Sequence, residues 1–550
     1  MPLLLNAWLA ILRAWIPAFG HSRSGERAIE QAMGALLTLG RRTLSRSLWT
    51  LGRQHQDWSA DYKLHSRASG NAADLFQPVL QRAAGLCADS LLVIAMDDTR
   101  IRKTGRKILT AFYQRDPLSP KFRFNLMWGL RFLHLSLLVP LYRHNAEVPP
   151  RSLPVRFLEV PAIKKPGKRA SAAQLEAHRQ AVKEHNLSRT TVALLRELRQ
   201  AADTAELGSR TILAVGDGSF CNRTLFRQPL DRVEILARAR RDCRLCRAAQ
   251  PGGRRFYSTE QFTCEQIRQG ETVPWQQSHI FHGGQWREVR YKELASVYWR
   301  CGGAKRPLRL LVVAPVPYSS GKGQRKYYRE PAFLLTTDLH RPATVILQAY
   351  FDRWQIEVNH RDMKDTLGIG QAQLRSIRSV PRQPAMLVAA YSALLLASIQ
   401  VFGDTRADVF PSLPKWRRNA RRPSCLDLVT LLRQQVASGQ WLGSSFSYPL
   451  EHAGFGSQRL NRSPHMFSTP VESTVLAAIA YDTPHQLLWL EFRNRAVYRY
   501  CGVPPPVHEA LLAATSKGAY FNRNIRGLFP YEKQPAGVPQ PFSPAAPKAY

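Results

Sequence analysis

Two short apolar runs, LLVIAM at 91–96 and TILAVG at 211–216, each lead into an aspartate followed two places later by a hydroxyl residue: Asp97-Asp98-Thr99 and Asp217-Gly218-Ser219. Unbroken apolar runs of this length read as strands buried on both faces, with polar groups at their C-terminal ends. A strand end holds a carboxylate rigidly. If the two strands are neighbours, their carboxylates converge and can share Mg²⁺, a hard cation that prefers oxygen ligands. Taken singly, either aspartate reads as an ordinary cap or turn residue. Side chains alternate across a strand, so only one of Asp97 and Asp98 faces such a site. The strand is apolar on both faces, and parity does not choose between them.

A third segment adds to the pair. In Tyr350-Phe-Asp-Arg353-Trp354-Gln-Ile-Glu357-Val-Asn-His-Arg-Asp-Met-Lys364, helical periodicity places Tyr350, Arg353, Glu357 and Lys364 on an arc of roughly 60°. Ile356, Met363 and Leu367 share another face suited to packing on a sheet. A solvated charged face is the ordinary explanation of such a run. It explains less well why a tyrosine, two cations and a carboxylate share one stripe, with Phe351 and Trp354 beside it.

The rest of the chain reads as several units. Residues 1–88 are helical, with Ala28–Leu39 and Thr43–Leu51 as candidate helices. Arg41, Arg42, Arg46 and Arg53 give this pair a basic face, which suits either a helix-turn-helix-like DNA contact or a bundle with a solvated surface. Ile108–Tyr113 and Phe124–Tyr142 read as strands, 171–206 as helical, 231–337 as turn-rich and strand-like, and 342–403 as helical again. The Pro/Ala-rich tail 534–550 reads as disordered. The apolar N-terminus lacks a positive n-region and a cleavage site, and reads as a buried helix. No uncharged stretch of membrane-spanning length is expected. Lys and Arg outnumber Asp and Glu by 78 to 40, a formal charge of +38 that favours a polyanionic partner over a membrane surface. The eight cysteines do not suggest a disulfide framework. Cys243 and Cys246 with His279 and His282 can be written as a zinc motif, but the segment lacks helical His spacing, and ordinary thiols are the default.

Tyr350, Arg353, Glu357 and Lys364 match without a gap the Y-(2)-R-(3)-E-(6)-K signature of a large group of bacterial insertion-sequence DDE transposases. LLTTDL (334–339), RWQIE (353–357), KDTLG (364–368) and QLRS (373–376) resemble the group's flanking sequence. The resemblance spans about 25–405. Its D-x-[ST] pattern selects Asp97 over Asp98 and pairs it with Asp217. It implies a multidomain α+β chain: a helical N-terminal DNA-binding domain (1–88), an RNase H-like mixed α/β catalytic core (89–230 and 338–405), and a β-rich insertion (231–337). It also implies that Asp97, Asp217 and Glu357 are catalytic carboxylates binding two Mg²⁺ ions, with Mn²⁺ able to substitute. Tyr350, Arg353, Trp354 and Lys364 would contact DNA, with Arg41 and Arg42 of the N-terminal pair. The implied partners are double-stranded transposon ends and target DNA, held by a homodimer in a synaptic complex. The implied setting is the bacterial cytoplasm at the nucleoid, without a membrane. In the group, a Trp of the insertion stacks on a flipped base; Trp275, Trp286 and Trp299 are the candidates here.

Residues 473–531 resemble a KTSC domain, with Tyr498-Arg499-Tyr500 as its central motif. They form a small α+β module at 470–533, joined by a helical or linker region at 406–469. Its aromatic and arginine side chains suit either base stacking or a core. Two alternatives to a transposase stay open on sequence: an RNase H-like nuclease that cuts without joining, and a domesticated DNA-binding protein.

Overall fold

The computed structural model describes residues 4–438 and 469–533, apart from 89, 118, 121, 142–147, 253, 319–324, 326, 404, 414–419, 472, 483–485 and 495. The tail 534–550, expected to be disordered, lies outside the described residues. The chain divides into two compact units, 1–455 and 456–550.

The first unit is built on one ten-stranded sheet. Its strands are β1 (Leu91–Arg102), β2 (Phe112–Arg115), β3 (Leu126–Val139), β4 (Arg151–Glu159), β5 (Thr211–Gly216) and β6 (Val233–Ala239), then four later ones. A separate hairpin, β7 (Arg244–Ala248) and β8 (Tyr257–Thr263), intervenes before β9 (Gln276–His282), β10 (Gln285–Val297) and β11 (Leu308–Val313). A second hairpin, β12 (Pro317–Tyr318) and β13 (Tyr327–Tyr328), precedes β14 (Ala332–Thr336). The sheet order is β2-β3-β1-β5-β6-β14-β11-β10-β9, with β4 also on β3. β1, β5 and β6 are mutually parallel, whereas β3 and β4 on one side and β14, β11, β10 and β9 on the other are antiparallel. The apolar runs that lead into Asp97 and Asp217 are adjacent central strands, as strands buried on both faces must be.

Several elements depart from the sequence reading. β4 was not expected: Pro154 argues against a strand. It is tolerated because β4 pairs only with β3 and Pro154 sits where the register slips, opposite Ser136. Of Ile108–Tyr113, only Phe112 and Tyr113 are in a strand. The helical stretch 171–206 is two helices, Ala172–Glu184 and Leu187–Thr204, restarted by the Asn186 cap. A boundary at 231 for the insertion falls before β6, which pairs in parallel with β5, while β9, β10, β11 and β14 extend the core sheet itself.

The N-terminal helices share their core with the rest of the first unit. Leu4–Leu12 buries Leu5, Trp8 and Leu12, and the Trp8 indole N–H donates to the Ala390 carbonyl at 2.9 Å. Ala390 lies on the helix Ser379–Phe402, which is long and apolar enough to cross a membrane, contrary to the sequence expectation; 89% of its most apolar window is buried inside the protein. In this unit it is the central helix, wrapped by the N-terminal helices and β4. Arg53, expected on the basic face, is buried against Glu30 (2.9 Å) and Asp61 (3.2 Å).

The second unit is a five-stranded antiparallel sheet: β15 (Thr469–Pro470), β16 (Leu476–Asp482), β17 (Leu487–Phe492), β18 (Val497–Cys501) and β19 (Tyr531–Lys533). Helices Pro505–Ala513 and Lys517–Asn524 join Leu476, Leu488, Leu490 and Tyr500 in a core of its own. Tyr500 is therefore a core residue, and Arg499 on the opposite face pairs with Glu532 at 2.8 Å.

A unit with its own core unfolds on its own. The fragment 456–550 is expected to melt cooperatively, with a transition recognisable in calorimetry of the full chain. Leu488→Ala should destabilise that transition by roughly 2–5 kcal/mol and leave the other unmoved. A shift of both transitions would contradict the division.

Candidate active site on the central strands

The parallel register pairs Ala95 with Val215; the same offset two residues on sets Asp97 beside Asp217. Asp217 ends its strand in a side-chain turn, Oδ1 accepting the Ser219 backbone N–H (2.9 Å) and hydroxyl (2.6 Å). Gly216 makes room for the turn: a Cβ there would lie 2.7 Å from the Phe220 side chain.

Partners separate the ambiguous aspartates. Asp98 is held by Arg131 Nε at 2.7 Å. Asp97 Oδ1 accepts the Asp98 N–H at 2.8 Å, while Oδ2 faces His360 Nδ1 at 3.9 Å. Thr99, the expected counterpart of Ser219, is buried and its hydroxyl makes no hydrogen bond. The repeated D-x-[ST] spacing thus has a local hydrogen-bonding role only at Asp217.

The segment carrying Glu357 is not the single helix expected. Helix Ala343–Asp352 ends in a tight turn at Arg353-Trp354, helix Gln355–Arg361 follows, and Asp362–Thr366 widens into a π turn. Around the break the bonds step three residues, Ile356 N–H to Arg353 O (3.0 Å) and Glu357 N–H to Trp354 O (3.1 Å). Tight and wide turns shift side-chain bearings in opposite senses. Tyr350, Arg353, Trp354 and Glu357 nevertheless line one cleft with Asp217. Ile356, fully buried against Ala95 and Leu138, anchors the segment to the sheet, a contact worth roughly 1.5–3 kcal/mol. Lys364 lies on the π turn, and the loop after it is tied to β1 by Lys103, whose Nζ donates to Gly370 O (2.6 Å) and Ala372 O (2.8 Å).

The electrostatics are those of a site that repels its own charge. Burial, then the neighbouring Asp217, push the Asp97 carboxyl up to about 7, with Arg353 opposing. Burial also raises Glu357, whose Oε1 lies 3.4 Å from Arg353 Nη2. Burial lowers the Lys364 ammonium, and Asp97 draws it back. The donor set is all hard oxygen, and a divalent cation would relieve both the repulsion and the burial cost, so these residues fit such an ion. Among the described residues no three His, Cys, Asp or Glu side chains are gathered as a ready metal cage; Glu357 is instead drawn to Arg353.

The sequence reading missed several residues at the site. Arg238, Arg240, Arg241 and Arg268 line the same cleft beside Asp217 and Glu357; the charge run from 238 to 244 was the available signal. Tyr318 and Tyr328, on the β12–β13 hairpin, line an adjoining cleft with Tyr350, Arg353 and Trp354. None of the three candidate tryptophans lines either cleft. Trp275 lies beneath Arg290 and Lys292, Trp299 packs on Phe226, and Trp286 lines a different groove with His279 and Asp352. Arg41 is exposed, but Arg42 turns inward, Nε donating to Ala35 O at 3.1 Å. The cysteines are free thiols; Cys246 is buried with Sγ 3.6 Å from Tyr298 O, and the His282 ring stacks on Phe351.

The family description "Transposase DDE domain" matches residues 181–393, and "KTSC domain" matches 472–529. The first match includes Asp217 and the segment from Tyr350 to Lys364; Asp97 lies ahead of it. A protein of Tsukamurella paurometabola is 43% identical over 60 residues, covering 11% of this chain and 90% of that protein. A lysine–tRNA ligase of Nostoc punctiforme is 42% identical over 62 residues; this chain spans about a tenth of its length (11% of each). A solved KTSC domain protein of Yersinia pestis is 36% identical, covering 13% of this chain and 99% of that one, at a TM-score of 0.13. An acidic pair on adjacent central strands, Asp97 within β1 where the sequence reading had expected its end and Asp217 just past β5, beside an arginine-lined cleft, belongs with enzymes of the nuclease and transposase class. Within that class, residues 181–393 match the DDE transposase domain, and residues 472–529 match a KTSC domain.

The Asp97 shift has a stability consequence. A carboxyl raised in the folded state costs nothing below its unfolded value near 4; its cost grows as pH rises from about 4 to 7 and is full above 7. Metal-free Asp97→Asn is therefore expected to melt higher than the parent at pH 8, by at most about 4 kcal/mol, with the gap closing by pH 4. Asp98→Asn strands Arg131 and should melt lower. Thermal melts of both variants across this range check the pair; a stabilised Asp98→Asn with a destabilised Asp97→Asn would reverse the assignment.

Proposed function

We propose that this chain is an insertion-sequence transposase that binds element ends and carries out Mg²⁺-dependent strand cleavage and strand transfer on an RNase H-like core. The observation that carries the reading is the cleft in which Asp217 and Glu357 meet Arg353 and the arginines of β6 and the β7–β8 region, with Asp97 beside Asp217. The strand order β4-β3-β1-β5-β6, three antiparallel strands and then two parallel to the third, supports the RNase H-like assignment.

Asp97, Asp217 and Glu357 would hold the divalent ions, two in number, with Mn²⁺ able to substitute. When bound, such ions activate water or a DNA 3′-hydroxyl and stabilise the leaving 3′-oxygen. The protein's own groups do the rest. Arg353 releases Glu357 and offers its guanidinium to a phosphate, for which its planar fork is suited. Lys364 contributes a point charge beside Asp97. Arg238, Arg240, Arg241 and Arg268 hold the flanking backbone and make binding salt-dependent. Tyr350 and Trp354 present aromatic faces to the DNA. With the candidate tryptophans turned elsewhere, Tyr318 and Tyr328 are the insertion aromatics placed to stack on an extruded base. The partner is double-stranded DNA, held by two protomers at paired ends. In this reading the first unit contains the helical, core and insertion segments, and the KTSC domain is accessory.

Glu357→Gln is expected to lower Mn²⁺-supported cleavage of element-end DNA by more than about a hundredfold while leaving end binding within a few-fold. Gel-based cleavage and binding assays on one preparation separate the two. Cleavage at the parent's rate would end the assignment, and cleavage without joining by the parent protein would favour a nuclease.

A further inference from the structure

A chain of buried polar groups runs from the backbone of β4 to the carboxylate of Asp97, and hydrogen-bond counting fixes its direction. Asn359 is buried, and its side-chain nitrogen lies 3.0 Å from Ser152 O and 3.3 Å from Ser136 Oγ. A carbonyl only accepts, so the amide nitrogen faces Ser152 and its second hydrogen goes to Ser136. Ser136 is fully buried, and its hydroxyl oxygen lies 2.8 Å from His134 Nε2. With Asn359 donating to it, the serine proton needs an acceptor, and His134 Nε2 is the one in reach. His134 then carries its proton on Nδ1, which lies 3.0 Å from His360 Nε2. His360 in turn must accept at Nε2 and hold its proton on Nδ1, the atom facing Asp97 Oδ2 at 3.9 Å. Register supports the arrangement, since His134 is the direct cross-strand partner of Asp97.

We infer that His360 is a positioning residue for the reaction, held by Asn359, Ser136 and His134 as the neutral Nδ1–H tautomer so that it presents a donor to Asp97. The inference rests on the transposase reading for its consequence but not for its geometry. One Asp97 oxygen is already committed to the Asp98 N–H. The other oxygen faces His360 Nδ1 at 3.9 Å, just beyond hydrogen-bond length, so that a small closing of this gap would supply a donor and restrict the carboxylate's rotation. Metal-binding carboxylates commonly depend on such outer partners. The signal was present in the sequence as a His three residues after Glu357, but nothing there placed His134 and Ser136 behind it.

The test uses the full-length protein and two amides. An asparagine at 360 places its N–H close to where Nδ1 was, whereas a glutamine places it near Nε2. His360→Gln is expected to cut Mn²⁺-supported cleavage roughly ten- to a hundredfold and raise the Mn²⁺ concentration needed for half-maximal rate. His360→Asn should stay within a few-fold of the parent. Ser136→Ala, which frees the His134 tautomer, should fall between them, with end binding unchanged throughout. ¹⁵N-histidine NMR reads the tautomer without activity: the resonance lost in His360→Asn should be that of an Nδ1–H ring. An Nε2–H or doubly protonated His360, or a Gln variant as active as Asn, would overturn the inference. A parent protein that cleaves no DNA would instead remove the transposase reading and leave the NMR result to decide the geometry.

Discussion

The parallel pairing of β1 with β5 is the contact on which the site depends. It sets Asp97, midway along β1, level with Asp217, which directly follows the end of β5 within the sheet. That position gives rigidity and imposes a cost: two like charges share a partly desolvated corner, and Asp97 responds with a carboxyl raised to about 7. The surrounding side chains answer the cost. Arg353 leans on Glu357, Arg131 takes up Asp98, Lys364 approaches Asp97, and arginines line the cleft. The same excess of positive charge that balances this acidic corner suits a polyanionic substrate.

The sheet and the central helix keep this arrangement from relaxing. Ile356 ties the glutamate's helix to β1 and β3 through Ala95 and Leu138, and Lys103 ties the following loop to β1. The helix Ser379–Phe402 lies under β4 and takes up the N-terminal helices, so the first hundred residues stabilise the strands that hold the aspartates. The KTSC unit has a separate core.

The central strands were legible in the sequence because a strand buried on both faces leaves an uninterrupted apolar run. The stripe was legible in part from its spacing: Tyr350, Arg353, Trp354 and Glu357 share the cleft although the helix breaks at Arg353-Trp354, while Lys364, on the later π turn, is not in that lining. β4 was not legible, since Pro154 forbids a regular ladder and only a register slip admits it. The sequence also gave no warning that Arg53 and Arg42 turn inward, because partners such as Glu30, Asp61 and the Ala35 carbonyl come from other helices or turns. The cleft aromatics were misplaced for a related reason. Tryptophan is the conspicuous residue type, but which aromatic faces the cleft is set by the hairpin Tyr318–Tyr328, not by size. The histidines behind Asp97 needed the register of β1 on β3 before they could be joined.

The central claim is that Asp97 and Asp217 form a strained acidic pair whose remedy is a divalent cation. Thermal melting at pH 8 with increasing Mn²⁺, without DNA, tests it most directly, because binding to the folded state alone raises stability. The parent protein should gain stability steadily with Mn²⁺. Asp97→Asn should start higher and gain little, and Asp98→Asn should gain as the parent does. Equal Mn²⁺ stabilisation of the parent and Asp97→Asn would contradict the account.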